Sequence, residues 1–242
     1  MNKQALFILV FTVLFMGVWL GIFKYSYSNG RTRNKIAMFI SSHTRIPVTY
    51  SFSIFATIFY AGMPLLGAFL ISKIFDIHLL RMFRDYQRTI ALPIDIIIGL
   101  LAVMAVDSVP LVLLSVFNPK IRIDKEMQEV NWISGISKIP GKWSMMIPFI
   151  SACCEEIFFR GAVLAALTHA DMSFWLASMI VTILFVLNQV YLTKRAVQAF
   201  VLGASSVAIS AVSCLLIAIT GNLIPSLVIH ASFAGFYANN KS

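Results

Sequence analysis

Two adjacent glutamates lie inside an apolar stretch long enough to cross a bilayer, in the sequence Ser-Ala-Cys-Cys-Glu155-Glu156-Ile-Phe-Phe-Arg160-Gly161. Ionisable groups inside a membrane are costly, and they usually mark a place where something is bound or transformed. Two neighbouring carboxylates cannot both ionise cheaply in a dry environment. Arg160, four residues after Glu156, supplies a counter-charge. These residues therefore indicate acid–base chemistry within the membrane.

Helical geometry assigns different roles to the two glutamates. Successive residues of an α-helix are about 100° apart, so Glu156 and Arg160 overlie one another. Glu155 points to a different face of the same helix. We therefore predict that Glu156 and Arg160 form an ion pair and that Glu155 is free to act as a general base.

Polar residues in two later apolar stretches are candidates to complete the site. Asn188 and Gln189 are adjacent in one stretch, and His230 lies in the middle of the last one. Taken alone, such amides and histidines often only join membrane helices through hydrogen bonds. Together with a glutamate pair, they become candidate site residues.

Composition indicates a membrane protein. The chain has 242 residues, of which 59% are hydrophobic and 12% are charged. A soluble domain carries roughly twice that charged fraction. The net charge of +9 comes from lysines and arginines concentrated in the loops, as the positive-inside rule expects. Because no soluble basic domain is evident, we do not expect nucleic-acid binding.

Continuous apolar runs predict an all-α polytopic bundle of about seven membrane spans. The polar segments between them, notably residues 24–45 and 118–143, are predicted to be basic loops, with a short interfacial helix within 73–88. We treat the chain as one membrane domain, with N-terminal spans in 1–143 and a core in 144–238. The predicted spans are approximately residues 5–23, 46–75, 90–117, 144–167, 172–192, 196–220 and 223–238.

The distribution of basic residues predicts the orientation. The turn at Lys194 and Arg195 is basic, whereas the turns before and after it carry no lysine or arginine. The positive-inside rule then places the 118–143 loop and the C-terminus in the cytoplasm. Seven crossings put the 73–89 segment outside despite its four basic residues. Either interfacial contacts hold that segment, or one N-terminal stretch is re-entrant.

The run Glu155-Glu156-x-x-x-Arg160-Gly161 resembles the first motif of the CPBP family, which comprises CAAX proteases and bacteriocin-processing enzymes. This family is also called the Abi family of intramembrane glutamate proteases. The last span, with His230, resembles the family's final motif, so the resemblance covers residues 144–238. It implies a CPBP-type helical core with Glu155 as the base that activates water. It also implies Glu156 and Arg160 as the supporting pair, and His230 as the donor that polarises the peptide carbonyl.

Two positions depart from the family's pattern. Gln189 stands where the middle motif has a histidine, and Ala234 stands where the final motif has a polar residue. Loss of one oxyanion donor typically costs about 10²–10³ in rate. Asn188, Gln189 and Ser232 are the candidate substitutes for the missing groups.

The resemblance makes zinc the cofactor to consider. The candidate ligands are Glu155, Glu156 and His230, and a zinc site with three protein ligands and a water is allowed in principle. We do not expect a bound metal, because Arg160 competes for the carboxylates.

Two functions are compatible with these residues. An intramembrane endopeptidase would cleave a membrane-associated peptide or protein, such as a bacteriocin or pheromone leader, a signalling precursor or a prenylated CAAX tail. A catalytically inactive relative would instead bind a membrane protein partner, as a scaffold or bacteriocin-immunity protein. A proton-coupled carrier is a weaker third class, because no repeated half-structures are evident. We expect the peptidase, as a multi-pass protein of a bacterial cell membrane.

Overall fold

The computed structural model describes residues 2–84, 92–136, 139 and 143–239. Within these ranges the chain is helical and contains no β-strand, which confirms the predicted all-α class. A π-helical segment, Ile157–Leu164, lies between α8 and α9. The helices are α1 (Lys3–Ser28), α2 (Gly30–His43), α3 (Val48–Ile74), α4 (Arg81–Arg84), α5 (Leu92–Phe117), α6 (Ile123–Gln128), α7 (Asn131–Ile136), α8 (Trp143–Glu156), α9 (Ala165–His169), α10 (Phe174–Val190), α11 (Ala196–Thr220) and α12 (Ile224–Asn239).

Each predicted span corresponds to a helix or to a continuous helical run. Among the described residues, four helices (α1, α3, α5 and α11) are long and apolar enough to cross a bilayer. The fourth predicted span is the run from α8 through the π-helical segment to α9. The helices α10 and α12 have 17 and 16 residues. They are therefore about 25 Å long, slightly less than the apolar thickness of about 30 Å.

Parts of both basic segments predicted as loops are helical. Residues 30–43 form α2, which packs against α3 and buries Ala37. In the 118–143 segment, α6 and α7 pack against α11 through a small apolar cluster. The loop prediction was wrong in these places, because a short amphipathic helix has too few apolar residues to resemble a span. The members of the cluster are Met127, Val130, Ile133, Val201 and Leu202.

Contacts at one end of the bundle join three of the basic segments. Lys24 Nζ donates to the carbonyl oxygen of Tyr191 at 2.9 Å. Arg195 forms ion pairs with Glu126 at 2.9 Å and Glu129 at 2.8 Å. The end of α1, the turn between α10 and α11, and α6 therefore lie together, as seven successive crossings require.

Contacts elsewhere join the segments that the same topology assigns to the opposite end. Asn2 Nδ2 donates to the carbonyl oxygen of Ala170, and the Leu223 amide donates to the carbonyl oxygen of Met82, both at 2.8 Å. The second contact holds the segment after α3 against the start of α12. Of the interfacial helix predicted at 73–88, the single turn α4 is described, and residues 85–91 lie outside the described ranges.

The most buried of the long helices is α11. In its most apolar stretch 67% of the residues are buried, against 17% in α5. The helix α3 closely approaches the π-helical segment at Gly67, where an added Cβ would lie 2.6 Å from ring atoms of both Phe15 and Phe158. A glycine is required at this approach, and the approach brings the middle of α3 toward α8.

Candidate active site

Glu156 and Arg160 form a fully buried ion pair. Arg160 Nη1 lies 3.0 Å from Glu156 Oε1, and both side chains have 0% exposure. The guanidinium carbon also lies 4.4 Å from the centroid of the Phe185 ring, a cation–π contact. The structure therefore contains the pair that helical spacing predicts.

His230 links the two glutamates from α12. Its Nδ1 lies 2.9 Å from Glu156 Oε1, and its Nε2 lies 3.8 Å from Glu155 Oε2. Because an ionised carboxylate only accepts hydrogen bonds, the proton of this bond belongs to Nδ1. Glu156 therefore fixes the orientation of the imidazole, and Nε2 is presented to Glu155. The Phe185 ring packs edge-on against the imidazole, with centroids 5.2 Å apart.

Glu155 accepts hydrogen bonds from a different set of residues. Its Oε1 accepts from the Tyr60 hydroxyl at 2.5 Å, and from Asn188 Nδ2 and Gln189 Nε2 at 2.9 Å each. Asn188 Nδ2 also donates to the Tyr60 hydroxyl oxygen at 3.0 Å. A carboxylate oxygen has about two lone-pair sites, so three donors saturate Oε1. Oε2, the oxygen toward His230, is left for chemistry.

Glu155 and His230 line a cavity of about 100 Å³, which has room for several water molecules. Its walls come from α1, α3, α7, α8, α10, α11 and α12, and they are mainly aromatic and aliphatic, with serines on α8 and α11. Gln189 and Ala234 both line it. The cavity is therefore a mainly apolar space beside two titratable side chains, Glu155 and His230.

The structure brings most of the predicted site residues into one connected cluster. Ser232 does not join this cluster. It is exposed, and its hydroxyl donates to the carbonyl oxygen of Val228 at 2.7 Å. Two positions along an α-helix are about 200° apart, so Ser232 and His230 lie on nearly opposite faces of α12. The residues of the cluster are Glu155, Glu156, Arg160, Asn188, Gln189 and His230.

Residues 140–236 match a family model described as type II CAAX prenyl endopeptidase Rce1-like. This part of the chain is therefore similar to the Rce1-like family. The match includes the helices α8 to α11 and most of α12, which carry the predicted site residues. It confirms the family resemblance and supports, at family level, a CAAX-type intramembrane protease. Comparisons with curated proteins and with solved structures gave no match.

Two features of the site were not predicted. Tyr60 reaches Glu155 from α3, outside the Rce1-like segment and 95 positions earlier in the chain. A tyrosine in an apolar span gives little signal, because amphipathic aromatic residues are common there. The π-helical segment begins directly after Glu156. Such segments are rare and often lie at functional sites, but they have no simple periodicity in the sequence.

The metal-ligand atoms that the Rce1-like segment offers do not fit a zinc ion. Glu156 Oε1 is engaged by Arg160 and by His230 Nδ1, and Glu155 Oε1 by three donors. Glu156 Oε2 has no hydrogen-bond partner within the described ranges but is fully buried, so Glu155 Oε2 and His230 Nε2 are the accessible ligand atoms, whereas a catalytic zinc site uses three protein ligands. Among the described residues, no group of three His, Cys, Asp or Glu is arranged to hold a metal ion.

Proposed function

We propose that the protein is an intramembrane endopeptidase in which Glu155 activates the attacking water. The observation that carries the proposal is the arrangement of the Glu155 carboxylate. Three donors hold Oε1, and Oε2 points toward His230 Nε2 at 3.8 Å in the wall of the cavity. A general base needs such a fixed orientation and an oxygen within reach of a water molecule.

The reaction uses Glu155 as base and then as acid. A water bound at Oε2 transfers a proton to the carboxylate while its oxygen attacks the peptide carbonyl carbon. Glu155 then delivers that proton to the leaving amine as the carbon–nitrogen bond breaks. The products are a new carboxyl group and a free amine, and the Glu155 carboxylate is restored.

His230 stabilises the negative charge that develops on the carbonyl oxygen. With protons on both nitrogens, Nε2 donates to that oxygen, while Nδ1 remains bonded to Glu156 at 2.9 Å. Glu156, a buried carboxylate in direct contact with the imidazole, offsets the positive charge of the doubly protonated ring. Arg160 offsets the charge of Glu156 when His230 is neutral. We propose these residues as the supporting part of the site.

The two amides act on the base rather than on the substrate. Asn188 and Gln189 both donate to Glu155 Oε1, so they support the orientation of Glu155. This role differs from the one that the family resemblance implies for a histidine at position 189. With Ala234 at the cavity wall, His230 is the carbonyl donor on which we expect the rate to depend most.

The cavity supports an apolar, membrane-associated substrate. Aromatic residues from α1, α7 and α12 line it, among them Phe23, Trp132 and Phe233. These walls suit an apolar peptide segment or a prenylated CAAX tail. The wall residues of α7 lie near the Lys194–Arg195 turn, since Lys194 Nζ donates to Asn131 Oδ1 at 2.9 Å. The positive-inside rule assigns this turn to the cytoplasm. We therefore propose that the substrate is reached from the cytoplasmic face.

Cleavage assays on the purified protein test this function. The protein in detergent is incubated with fluorogenic peptides, one farnesylated at a CAAX tail and one with an unmodified apolar segment. We expect cleavage that falls by about 10²–10⁴ in Glu155→Gln, because the general base is lost. The matched control is Glu126→Gln, a glutamate in α6 that pairs with Arg195, and it is expected to keep wild-type activity.

Two outcomes would contradict the proposal. Equal cleavage by the wild type and Glu155→Gln would remove Glu155 from the reaction. A wild-type protein that binds the peptides without cutting them would instead favour an inactive partner-binding protein.

A further inference from the structure

Tyr60 contacts the candidate base from outside the Rce1-like segment. It lies on α3, and its hydroxyl donates to Glu155 Oε1 at 2.5 Å. The same hydroxyl oxygen accepts from Asn188 Nδ2 at 3.0 Å. Tyr60 is therefore hydrogen-bonded to Glu155 and to Asn188, which itself donates to Glu155.

Aromatic side chains of α1 hold the ring of Tyr60. Its centroid lies 5.0 Å from that of Trp19 and 4.8 Å from that of Phe23. Trp19 is fully buried and meets Phe158 of the π-helical segment edge-on, with centroids 6.3 Å apart. A tyrosine side chain has only two torsions, so this packing determines where its hydroxyl lies.

Donors from two helices restrict the rotation of the Glu155 carboxylate. Asn188 and Gln189 approach Oε1 from α10, whereas Tyr60 approaches it from α3. The terminal torsion of a glutamate is otherwise broad, so bonds from one helix alone allow the carboxylate to swing. With both sets of donors, Oε2 stays toward His230 Nε2.

We propose that Tyr60 is a positioning residue that sets which oxygen of Glu155 acts as the base. The inference rests on the proposed peptidase function, in which Oε2 accepts a proton from the attacking water. Without the hydroxyl, Oε1 keeps its donors from α10, and the carboxylate turns more freely. A misoriented base slows the chemical step and leaves ground-state binding of the substrate largely unchanged.

Tyr60→Phe tests the proposal, because it removes the hydroxyl and keeps the packed ring. We expect kcat to fall by about ten- to a hundredfold, which corresponds to one lost hydrogen bond to a charged group. KM is expected to stay within about twofold. The matched control is Tyr50→Phe, which lies on the same helix about 15 Å closer to its start and is expected to leave kcat unchanged. An unchanged kcat in Tyr60→Phe, or a change confined to KM, would overturn the proposal.

A thermal unfolding cycle tests the same contact without catalysis. The shifts in Tm of Tyr60→Phe, Glu155→Leu and the double variant are compared in one detergent. Because bonded groups couple, we expect the shift of the double variant to be smaller than the sum of the single shifts. Additive shifts would overturn the proposal. If the shifts are non-additive but the protein cuts no peptide, Tyr60 does position Glu155, and the proposed peptidase function is wrong.

Discussion

Replacement of Arg160 by methionine is expected to destabilise the protein strongly. The change removes the cation and keeps much of the apolar stem of the side chain. Glu156 would be left fully buried without its cation, with His230 Nδ1 still 2.9 Å from its Oε1. Breaking a buried ion pair on one side costs about 3–5 kcal/mol, because the other charge stays without its counter-charge.

A cycle of variants separates the ion pair from the packing. Glu156→Gln should cost a similar amount, about 3–5 kcal/mol, since it leaves Arg160 buried and unpaired. The double variant Arg160→Met/Glu156→Gln should cost less than the sum of the two by about 1–3 kcal/mol. Equilibrium unfolding by SDS in mixed micelles, followed by circular dichroism, provides the free energies of unfolding.

Arg195→Met is the matched control for this experiment. Arg195 pairs with Glu126 at 2.9 Å and with Glu129 at 2.8 Å, close to the 3.0 Å between Arg160 and Glu156, but its side chain is 53% exposed. An exposed pair contributes about 0–1 kcal/mol, so the control should unfold nearly like the wild type. Equal costs for the two arginine variants would show that burial does not determine the strength of the Glu156–Arg160 pair.

Three further predictions concern packing, metal and the substituted motif position. Gly67→Ala should cost about 1–3 kcal/mol in the unfolding assay, since its Cβ would lie 2.6 Å from the Phe15 and Phe158 rings. Gly62→Ala on the same helix, with nothing within 4 Å, should be neutral or stabilising, and the opposite order would refute the packing argument. Dialysis against EDTA should leave peptide cleavage intact, and a loss restored by zinc would contradict the assignment of the Glu156 carboxylate to Arg160 and His230. Ala234→Asn should raise kcat by up to about 10², because it adds a polar group to the cavity wall near His230, and a lowered or unchanged kcat would refute a missing donor there.

The sequence contains enough information for the membrane helices and for half of the site. Runs of apolar residues with the length of a bilayer predict α1, α3, α5 and α11 closely. The reason is that the thickness of the hydrocarbon core sets the length of an apolar helix that crosses it. The predicted ion pair depends on two residues four positions apart in one continuous helical run, where spacing determines proximity. Asn188 and Gln189 were identifiable because amides are uncommon within an apolar stretch.

The parts that were missed depend on contacts between distant segments or on unusual backbone geometry. Tyr60 meets Glu155 only because packing around Gly67 brings α3 against the π-helical segment, and no local pattern encodes that approach. Ser232, the candidate substitute for a missing polar group, follows His230 by two positions. On a helix, two positions of separation place a side chain on almost the opposite face. The helix α2 was missed because its polar composition resembles that of a loop.

The order of charges along the chain has a consequence for insertion during synthesis. A charged side chain at the bilayer centre costs about 2.5–3.5 kcal/mol on scales derived from insertion experiments. Glu156 carries its counter-charge four residues later in the same helical run, whereas His230 follows only 74 residues later. The run from α8 to α9 can therefore leave the insertion machinery as a unit in which one of two acids is already neutralised. The first bonding partner of Glu155, Tyr60, has been synthesised by then, so Arg160 and Tyr60 allow the two acids to enter the bilayer before the rest of the site exists.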